Sequence, residues 1–348
     1  MPFVVNPNAP DIVGWTPIHT AADKGYVEII KILAPLTDNP NAPDHNGWTP
    51  IHSTAANGNI EIIKVISPFT DNPNAPDHHG WTPIYTAANK GYVELIKILA
   101  PLTDNPNTPG PDGQTPIHAA AEKGNVGIIK LLSPLTDNPN APDHHGWTPI
   151  QDAAFNGNVD VIKVLAPLTQ NVIKVLSPLI DNPNAPDPDG LTPIHRAAKK
   201  GSVEIIKVLA PFTDNPNDPN DDGWTPIHDA ALNGNVEIIK FLAPLTDNPN
   251  APDPDGFTPI YRAARNENVE IIKVLAQFSN NPNAPDRHGW TPIHSAAEKG
   301  NIDVIKVLAP LTDNPNAPDT DGLTPLHIAA QHGRTEIVQF LEAQIGKS

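Results

Sequence analysis

The sequence predicts an all-α solenoid made of ten copies of one short helical repeat. A Thr-Pro pair returns every 33 residues, with a single step of 44 residues. Each copy holds a small-residue segment and a strongly apolar segment of helical length, separated by glycine or proline. Such a period is typical of repeats that bury their apolar faces against their neighbours. The repeats are numbered by their Thr-Pro pairs, which begin at Thr16, Thr49, Thr82, Thr115, Thr148, Thr192, Thr225, Thr258, Thr291 and Thr324.

Each repeat opens with a turn and a first helix, as the second repeat illustrates. Residues 44–47 form an Asp-His-Asn-Gly turn in which Gly47 can adopt a positive φ. Thr49 is placed to cap the helix, and Pro50 follows at the first helical position, where its missing N–H costs nothing. Gly58 is expected to end this helix.

The second helix and an extended arm complete the repeat. Five of the seven residues between 60 and 66 are Ile or Val, so this helix is expected to be packed on most sides. Glu61 and Lys64 are spaced to form a weak ion pair on its exposed edge. Pro68 should end the helix, and residues 71–76 should be extended because residues before proline avoid helical angles.

The Thr-Pro-Ile-His-x-Ala-Ala string, at this period, resembles the ankyrin repeat over essentially the whole chain. The resemblance implies two helices and a β-hairpin finger per repeat, and a function in binding other proteins. It also implies that the motif histidines are structural, each bonded to the motif threonine and a neighbouring backbone. Departures from the pattern are Tyr85, Gln151 and Tyr261 in the histidine position, and Glu267, which is expected to distort its inter-helix turn. The seven motif histidines are His19, His52, His118, His195, His228, His294 and His327.

The long step comes from an 11-residue tandem duplication in the fifth repeat, in which residues 161–171 are followed by a near copy. Pro167 is expected to end the preceding helix, and we predict a separate short helical segment around Val172 to Leu176. Residues 1–348 are interpreted as a single repeat domain. Two readings of the duplicated segment 161–182 stay open. It is either a harmless loop or a bend between two sub-arrays, 1–170 and 171–348.

The composition disfavours several classes of function. The chain has 39 acidic and 22 basic residues, a net charge of −17, which argues against nucleic-acid or anionic-membrane binding. No apolar run is long enough to span a bilayer. Cysteine is absent, and histidine pairs on the turn tips supply at most two metal ligands each. No catalytic constellation or cofactor motif is present, so we expect a non-enzymatic protein without a metal or cofactor. We also expect the protein to be monomeric and cytoplasmic.

All tryptophans occupy one position in the repeat, directly before Thr-Pro, which in ankyrin repeats is the base of the finger beside the concave groove. Aligned tryptophans are typical of binding hot spots. The alternative is that each indole packs on the prolines of the finger and stiffens it. We predict a mixed role, with part of each ring holding the finger and part meeting a partner. The residues are Trp15, Trp48, Trp81, Trp147, Trp224 and Trp290.

A second set of candidate contacts lies on the first helices from the fifth repeat onward, where apolar and basic residues replace mixed polar ones. They would suit an acidic peptide with apolar anchors. Alternatively, Asp152, Arg196, Asp229 and Arg262 share one position and could pair along the stack. The predicted contact residues are Phe155, Arg196, Lys199, Lys200, Leu232, Arg262 and Arg265.

Two other functions are compatible with the sequence. The chain could be a structural scaffold or spacer region of a larger repeat protein, with regularity itself as the purpose. It could also be a modification substrate, because the family resemblance places asparagines that can be hydroxylated near certain arm positions. Those positions are Asn41, Asn74, Asn140, Asn250 and Asn316.

Overall fold

The structure, a computed structural model, describes residues 6–171 and 182–345, and for residues 170 and 171 the backbone alone. Within these ranges every regular element is a helix and no strand occurs. The predicted segment Val172 to Leu176 lies outside the described residues. The chain divides into two compact blocks, Met1–Pro183 and Asn184–Ser348, which we call the N-terminal and C-terminal blocks.

The N-terminal block contains repeats one to five. In every repeat the first helix has an odd number and the second helix has an even number. A 3-10 turn follows each of the first four second helices, at Ala34–Leu36, Ser67–Phe69, Ala100–Leu102 and Ser133–Leu135. The helices are α1 Pro17–Lys24, α2 Val27–Leu33, α3 Pro50–Asn57, α4 Ile60–Ile66, α5 Pro83–Lys90, α6 Val93–Leu99, α7 Pro116–Glu122, α8 Val126–Leu132, α9 Pro149–Asn156 and α10 Val159–Asn171.

The C-terminal block repeats this order through repeats six to ten. Its 3-10 turns are Ala210–Phe212, Ala243–Leu245, Ala276–Phe278 and Ala309–Leu311. The helices are α11 Pro193–Lys200, α12 Val203–Leu209, α13 Pro226–Asn233, α14 Val236–Leu242, α15 Pro259–Arg265, α16 Val269–Leu275, α17 Pro292–Lys299, α18 Ile302–Leu308, α19 Pro325–Gln331 and α20 Thr335–Ile345.

The predicted start and end of the first helix are confirmed in α3. The Thr49 hydroxyl accepts from the His52 backbone N–H at 3.4 Å, and His52 Nδ1 accepts from the Thr49 N–H at 3.1 Å. This reciprocal pair is a capping box that uses histidine instead of glutamate. Pro50 occupies the first position, and Gly58 ends the helix with φ 74°. Gly47, in the turn before it, has φ 77°, also as predicted.

The second helix α4 is likewise as predicted, because Ile62, Ile63 and Ile66 are fully buried. The α-helix ends at Ile66, and the 3-10 turn Ser67–Phe69 carries Pro68. On the exposed edge, Lys64 Nζ lies 2.6 Å from Glu61 Oε1. Such exposed pairs contribute only a few tenths of a kcal/mol, so the buried apolar face holds this helix in place.

Neighbouring repeats are joined by their first helices and by the motif histidines. Within each block, every first helix packs against the next first helix, which alanines such as Ala55 and Ala88 allow because they are small and fully buried. His52 Nε2 lies 3.1 Å from the carbonyl oxygen of Trp81, in the following repeat. The structural role expected for the motif histidine is therefore confirmed.

Two local expectations are wrong. Helix α10 does not stop at Pro167 but continues to Asn171, because an internal proline removes one backbone hydrogen bond and bends a helix without having to end it. Glu267 does not distort its inter-helix turn. Instead it adopts the left-handed conformation at φ 60°, and the Asn268 N–H still bonds the Ala263 carbonyl at 2.9 Å, as in other repeats.

Candidate functional site

Each finger is a closed turn that fixes the backbone just before the motif threonine. In the second repeat, Asp44 Oδ1 accepts from the backbone N–H of Asn46 at 2.8 Å and of Trp48 at 2.9 Å. The Asp44 N–H in turn donates to the Trp48 carbonyl at 2.8 Å. Asn220 replaces the aspartate in the seventh repeat, and its Oδ1 makes the same bonds to Asp222 and Trp224. In these two turns the Oδ1 acceptor is sufficient, and the negative charge is not required.

The arm of each repeat is anchored by an asparagine whose structural role is not among the predictions made from the sequence. Asn41 Oδ1 accepts from the backbone N–H of Ile51 at 3.0 Å, and the Asn41 side chain is buried. The same pair, ten residues apart, recurs in Asn74 and Ile84 at 2.8 Å. A modifying enzyme would have to open this contact to reach the asparagine. The sequence contains a signal for this contact, because in every repeat the asparagine stands ten residues before the second residue of the first helix.

The tryptophans are all half-buried, at the bases of the fingers. Each of four indoles packs against the motif histidine of its own repeat, and Trp81 packs against Tyr85 in that position. The Trp48 Nε1–H also donates to Ser53 Oγ at 2.9 Å. One part of the ring thus holds the finger to the first helix while another part stays accessible. The ring-centroid distances are 4.8 Å for Trp15–His19, 4.9 Å for Trp48–His52, 4.4 Å for Trp81–Tyr85, 5.5 Å for Trp224–His228 and 5.2 Å for Trp290–His294.

Three of these tryptophans line one groove in the N-terminal block. The groove has a volume of about 670 Å³ and lies between the fingers and the first helices of repeats one to three. Carboxylates stand beside the indoles, and among the described residues those that line the groove include no lysine or arginine. We call this the tryptophan groove, and its lining residues are Trp15, Asp23, Asp44, Asn46, Trp48, Ser53, Ala56, Asp77, His79 and Trp81.

The position of Trp81 depends on a glycine in the next finger. A Cβ atom at Gly110 would lie 2.5 Å from Trp81 Cζ3, closer than any side chain can approach. Gly110 stands where the other turns have aspartate or asparagine, so the replacement makes room for the indole.

At the other end of this block, Trp147 packs edge-to-face on Phe155, with ring centroids 6.0 Å apart. Phe155 is 43% exposed.

In the C-terminal block, an arginine of the predicted contact set is held internally. Arg262 donates to Asp253 Oδ2 at 2.9 Å, and its guanidinium carbon lies 4.7 Å from the ring centroids of both Trp224 and Phe257. Arg196 pairs in the same way with Asp187. Each arginine therefore binds the turn carboxylate of its own finger. The alternative of Arg262 pairing with Asp229 along the stack is wrong, because the turn aspartate lies within reach on the same repeat.

The other members of the set in this block lie at the surface. Lys199, Lys200 and Arg265 are exposed, and Leu232 is 40% exposed. Burial raises the pKa of Asp229, on the same face, to about 6, and the positive charge of Lys199 partly opposes that shift.

Burial keeps six of the seven motif histidines neutral at physiological pH by lowering their pKa values. Burial lowers the pKa of His228 to about 4, and the hydrogen bond from its Nε2 to the Phe257 carbonyl only partly offsets this. Burial also lowers the pKa values of His19, His52, His118, His195 and His294.

In residues 6–171 and 182–345, no three histidine, aspartate or glutamate side chains converge as a set of metal ligands. Over the same part of the chain, no helix has both the length and the apolar character that crossing a bilayer requires.

These features define a helical repeat protein that presents half-buried aromatic side chains at the finger bases of each block. The family model described as ankyrin repeats (3 copies) matches residues 18–109, 102–175, 169–253, 244–319 and 289–347. The chain belongs to the ankyrin repeat family. Members of this family are generally protein–protein interaction modules and generally non-catalytic. No curated protein matches the chain.

Proposed function

We propose that this chain is a non-catalytic module that binds a partner protein or peptide through its first helices and finger bases. The observation that carries the proposal is the set of tryptophans, all half-buried and all in one register. Half-exposed tryptophans with a fixed orientation bind partners at a low cost in side-chain entropy.

The contact residues differ between the blocks. In the N-terminal block they are the three indoles of the tryptophan groove, together with Trp147 and the exposed Phe155 beside it. In the C-terminal block they are Trp224 and Trp290 with Lys199, Lys200, Leu232 and Arg265. Arg196 and Arg262 act there by shaping the surface, because their guanidinium groups are already bound to aspartates. Of the basic residues in the predicted contact set, Lys199, Lys200 and Arg265 are therefore the ones that would meet an acidic segment.

The test uses a random peptide display library selected on the immobilised full-length chain. Each enriched peptide is then measured against two triple variants, one with Trp15, Trp48 and Trp81 changed to leucine, the other with Trp147, Trp224 and Trp290. Leucine is the matched replacement because Leu191 and Leu323 occupy this position in the sixth and tenth repeats. We expect each peptide to lose at least about tenfold in affinity in one triple variant, with the far-UV circular dichroism unchanged.

A control variant changes Phe69 and Phe278 to leucine, because these aromatic rings are exposed on the 3-10 turns and not at the finger bases. Affinities that fall equally in this control would show a nonspecific apolar effect. Peptides that bind both tryptophan variants as tightly as the native chain would overturn the proposal. That result would favour the alternative of a structural scaffold or spacer. A cytoplasmic location and a monomeric state stay predictions.

A further inference from the structure

We propose that the tryptophan groove binds an extended partner segment with two arginines three residues apart, and that each guanidinium lies between successive tryptophans against a turn aspartate. This inference rests on the proposed function and names the partner's chemistry at one of its surfaces. The C-terminal block already holds an arginine of the chain in this arrangement.

The internal example is Arg262. Its guanidinium lies 4.7 Å from the Trp224 ring of the preceding finger and 4.7 Å from the Phe257 ring of its own finger. It donates at the same time to Asp253 Oδ2 at 2.9 Å. Two aromatic faces and a carboxylate form a guanidinium site, since the planar group stacks through its faces and donates through its edge.

The tryptophan groove contains two successive pairs of indoles, each with a turn aspartate, but neither pair has an arginine of the chain beside it. Arg262 stands nine residues after its turn aspartate, and the corresponding positions after Asp44 and Asp77 hold Ser53 and Thr86. These side chains are too short to reach the carboxylate. The flanking aromatic pairs are Trp15 with Trp48 in the first place and Trp48 with Trp81 in the second, and all three indoles line the groove.

Asp44 and Asp77 each leave one carboxylate oxygen available to a ligand. Asp44 is 9% exposed and Asp77 is 8% exposed, and both line the groove. Each uses Oδ1 for the backbone N–H groups of its own turn, at 2.8–2.9 Å. No described residue donates to Oδ2 of either one, whereas Oδ2 of Asp253 receives the Arg262 guanidinium. Oδ2 of each aspartate is therefore available to accept a charge-assisted hydrogen bond from a partner's guanidinium.

The repeat spacing sets the spacing of the arginines. Helices α1, α3 and α5 pack side by side, so successive sites are separated by one interhelical distance of about 8–10 Å. A polyproline II segment has three residues per turn and a rise of about 3.1 Å, which places residues i and i+3 on one face about 9 Å apart. The sequence Arg-Pro-Pro-Arg fits both sites at once.

The probe is the synthetic peptide acetyl-Gly-Ser-Arg-Pro-Pro-Arg-Ser-Gly-amide, titrated into the full chain at about 150 mM salt to screen its long-range attraction to an acidic protein. Binding is measured by calorimetry and by tryptophan fluorescence. Two control peptides replace both arginines, one with lysine, which keeps the charge, and one with citrulline, which keeps the shape. We expect saturable binding of the arginine peptide and at least about tenfold weaker binding of both controls.

Matched variants test the two aspartates. The double change Asp44→Asn and Asp77→Asn removes the charges but keeps the turns, as Asn220 shows in the seventh repeat. It should weaken the probe at least about tenfold. Asp143→Asn is the control, because Asp143 is equally buried but stands between Gln114 and Trp147, with one aromatic partner instead of two. It should leave the affinity unchanged.

A further variant fills one site from within. Thr86→Arg places an arginine nine residues after Asp77, as Arg262 stands after Asp253, and should block the site between Trp48 and Trp81 without unfolding the protein. The probe should then lose at least about tenfold in affinity.

Equal affinity for the lysine and arginine peptides would overturn this inference. It would also be overturned if Thr86→Arg and the double asparagine variant bound the probe as tightly as the native chain. An absence of probe binding would overturn it too. If library peptides still depend on the tryptophans in that case, the proposed function stands and only the arginine chemistry falls.

Discussion

Asn41 Oδ1 accepts a hydrogen bond from the backbone N–H of Ile51 at 3.0 Å, and this bond completes the start of helix α3. The first residue of the helix is Pro50, which has no N–H. Ile51, the second residue, is bonded to Asn41, and His52, the third, is bonded to the Thr49 hydroxyl. The arm and the motif threonine together satisfy the first-turn donors that the helix itself cannot. The same asparagine bond is present in all ten repeats.

Asn41→Ala should destabilise the protein by about 1–3 kcal/mol, because it leaves the buried Ile51 N–H without an acceptor. Asn316→Ala is the control. Asn316 makes the same bond to Leu326 at 2.9 Å but is half-buried in the last repeat, where water can replace it. Urea unfolding should show a clearly smaller loss for Asn316→Ala. Equal losses would mean that the arm contributes through some other contact.

The pH dependence of stability should follow the buried motif histidines. The neutral ring of His228 is fitted to its site, since Nδ1 accepts from the Thr225 N–H at 3.2 Å and Nε2 donates to the Phe257 carbonyl at 3.1 Å. Its pKa is about 4 in the folded chain and 6.5 without burial. Between these values the unfolded chain binds the extra proton, so stability falls as the pH falls from about 6.5 to 4.

His228→Gln should remove this contribution while keeping the helix cap, because Gln151 Oε1 accepts from the Thr148 N–H at 2.7 Å in the fifth repeat. Between pH 7 and 4.5 the native chain should lose about 2 kcal/mol more than the variant. Asp229, whose pKa is raised to about 6, acts in the opposite direction, but it does so in both proteins and cancels in the comparison. Parallel stability curves would contradict the assignment of a neutral His228.

Glu267→Gly should stabilise the C-terminal block. Glu267 holds φ 60°, a left-handed conformation that costs a residue with a Cβ about 1–2 kcal/mol. Glycine removes this strain, and its greater freedom in the unfolded chain reduces the net gain to about 0.5–1 kcal/mol. Glu270→Gly, in the first turn of α16, should instead destabilise by up to about 1 kcal/mol because glycine is a poor helix former. Opposite shifts in the urea midpoint are expected for these two glutamate-to-glycine changes.

Arg262→Thr should destabilise the protein by about 1–3 kcal/mol. It removes the partner of Asp253, whose side chain is only 3% exposed, and it uncovers the rings of Trp224 and Phe257. Arg265→Thr, on the same helix but exposed, should change stability by less than about 0.5 kcal/mol. Thermal unfolding of both variants would measure the difference. A stability of Arg262→Thr equal to that of the native chain would remove the support for a guanidinium site at this position.

Features that depend on residues close together in the chain were predictable. The capping by Thr49, the positive φ of Gly47 and Gly58 and the end of α4 before Pro68 follow from steric and hydrogen-bonding rules that act over a few residues. Their return every 33 residues predicted the stack. Pro167 is the exception, because proline weakens a helix without dictating that it ends.

The sequence by itself therefore determined the repeat, its helices and the register of the tryptophans, because each depends on local chemistry repeated at a fixed period. Only the tertiary structure decided which charges are used internally. In the sequence, Arg262 and Arg196 cannot be distinguished from exposed basic residues. In the structure, each forms an ion pair with the turn aspartate of its own repeat. The open carboxylates of Asp44 and Asp77 were equally hidden, since burial and hydrogen-bond partners depend on how successive repeats pack in space.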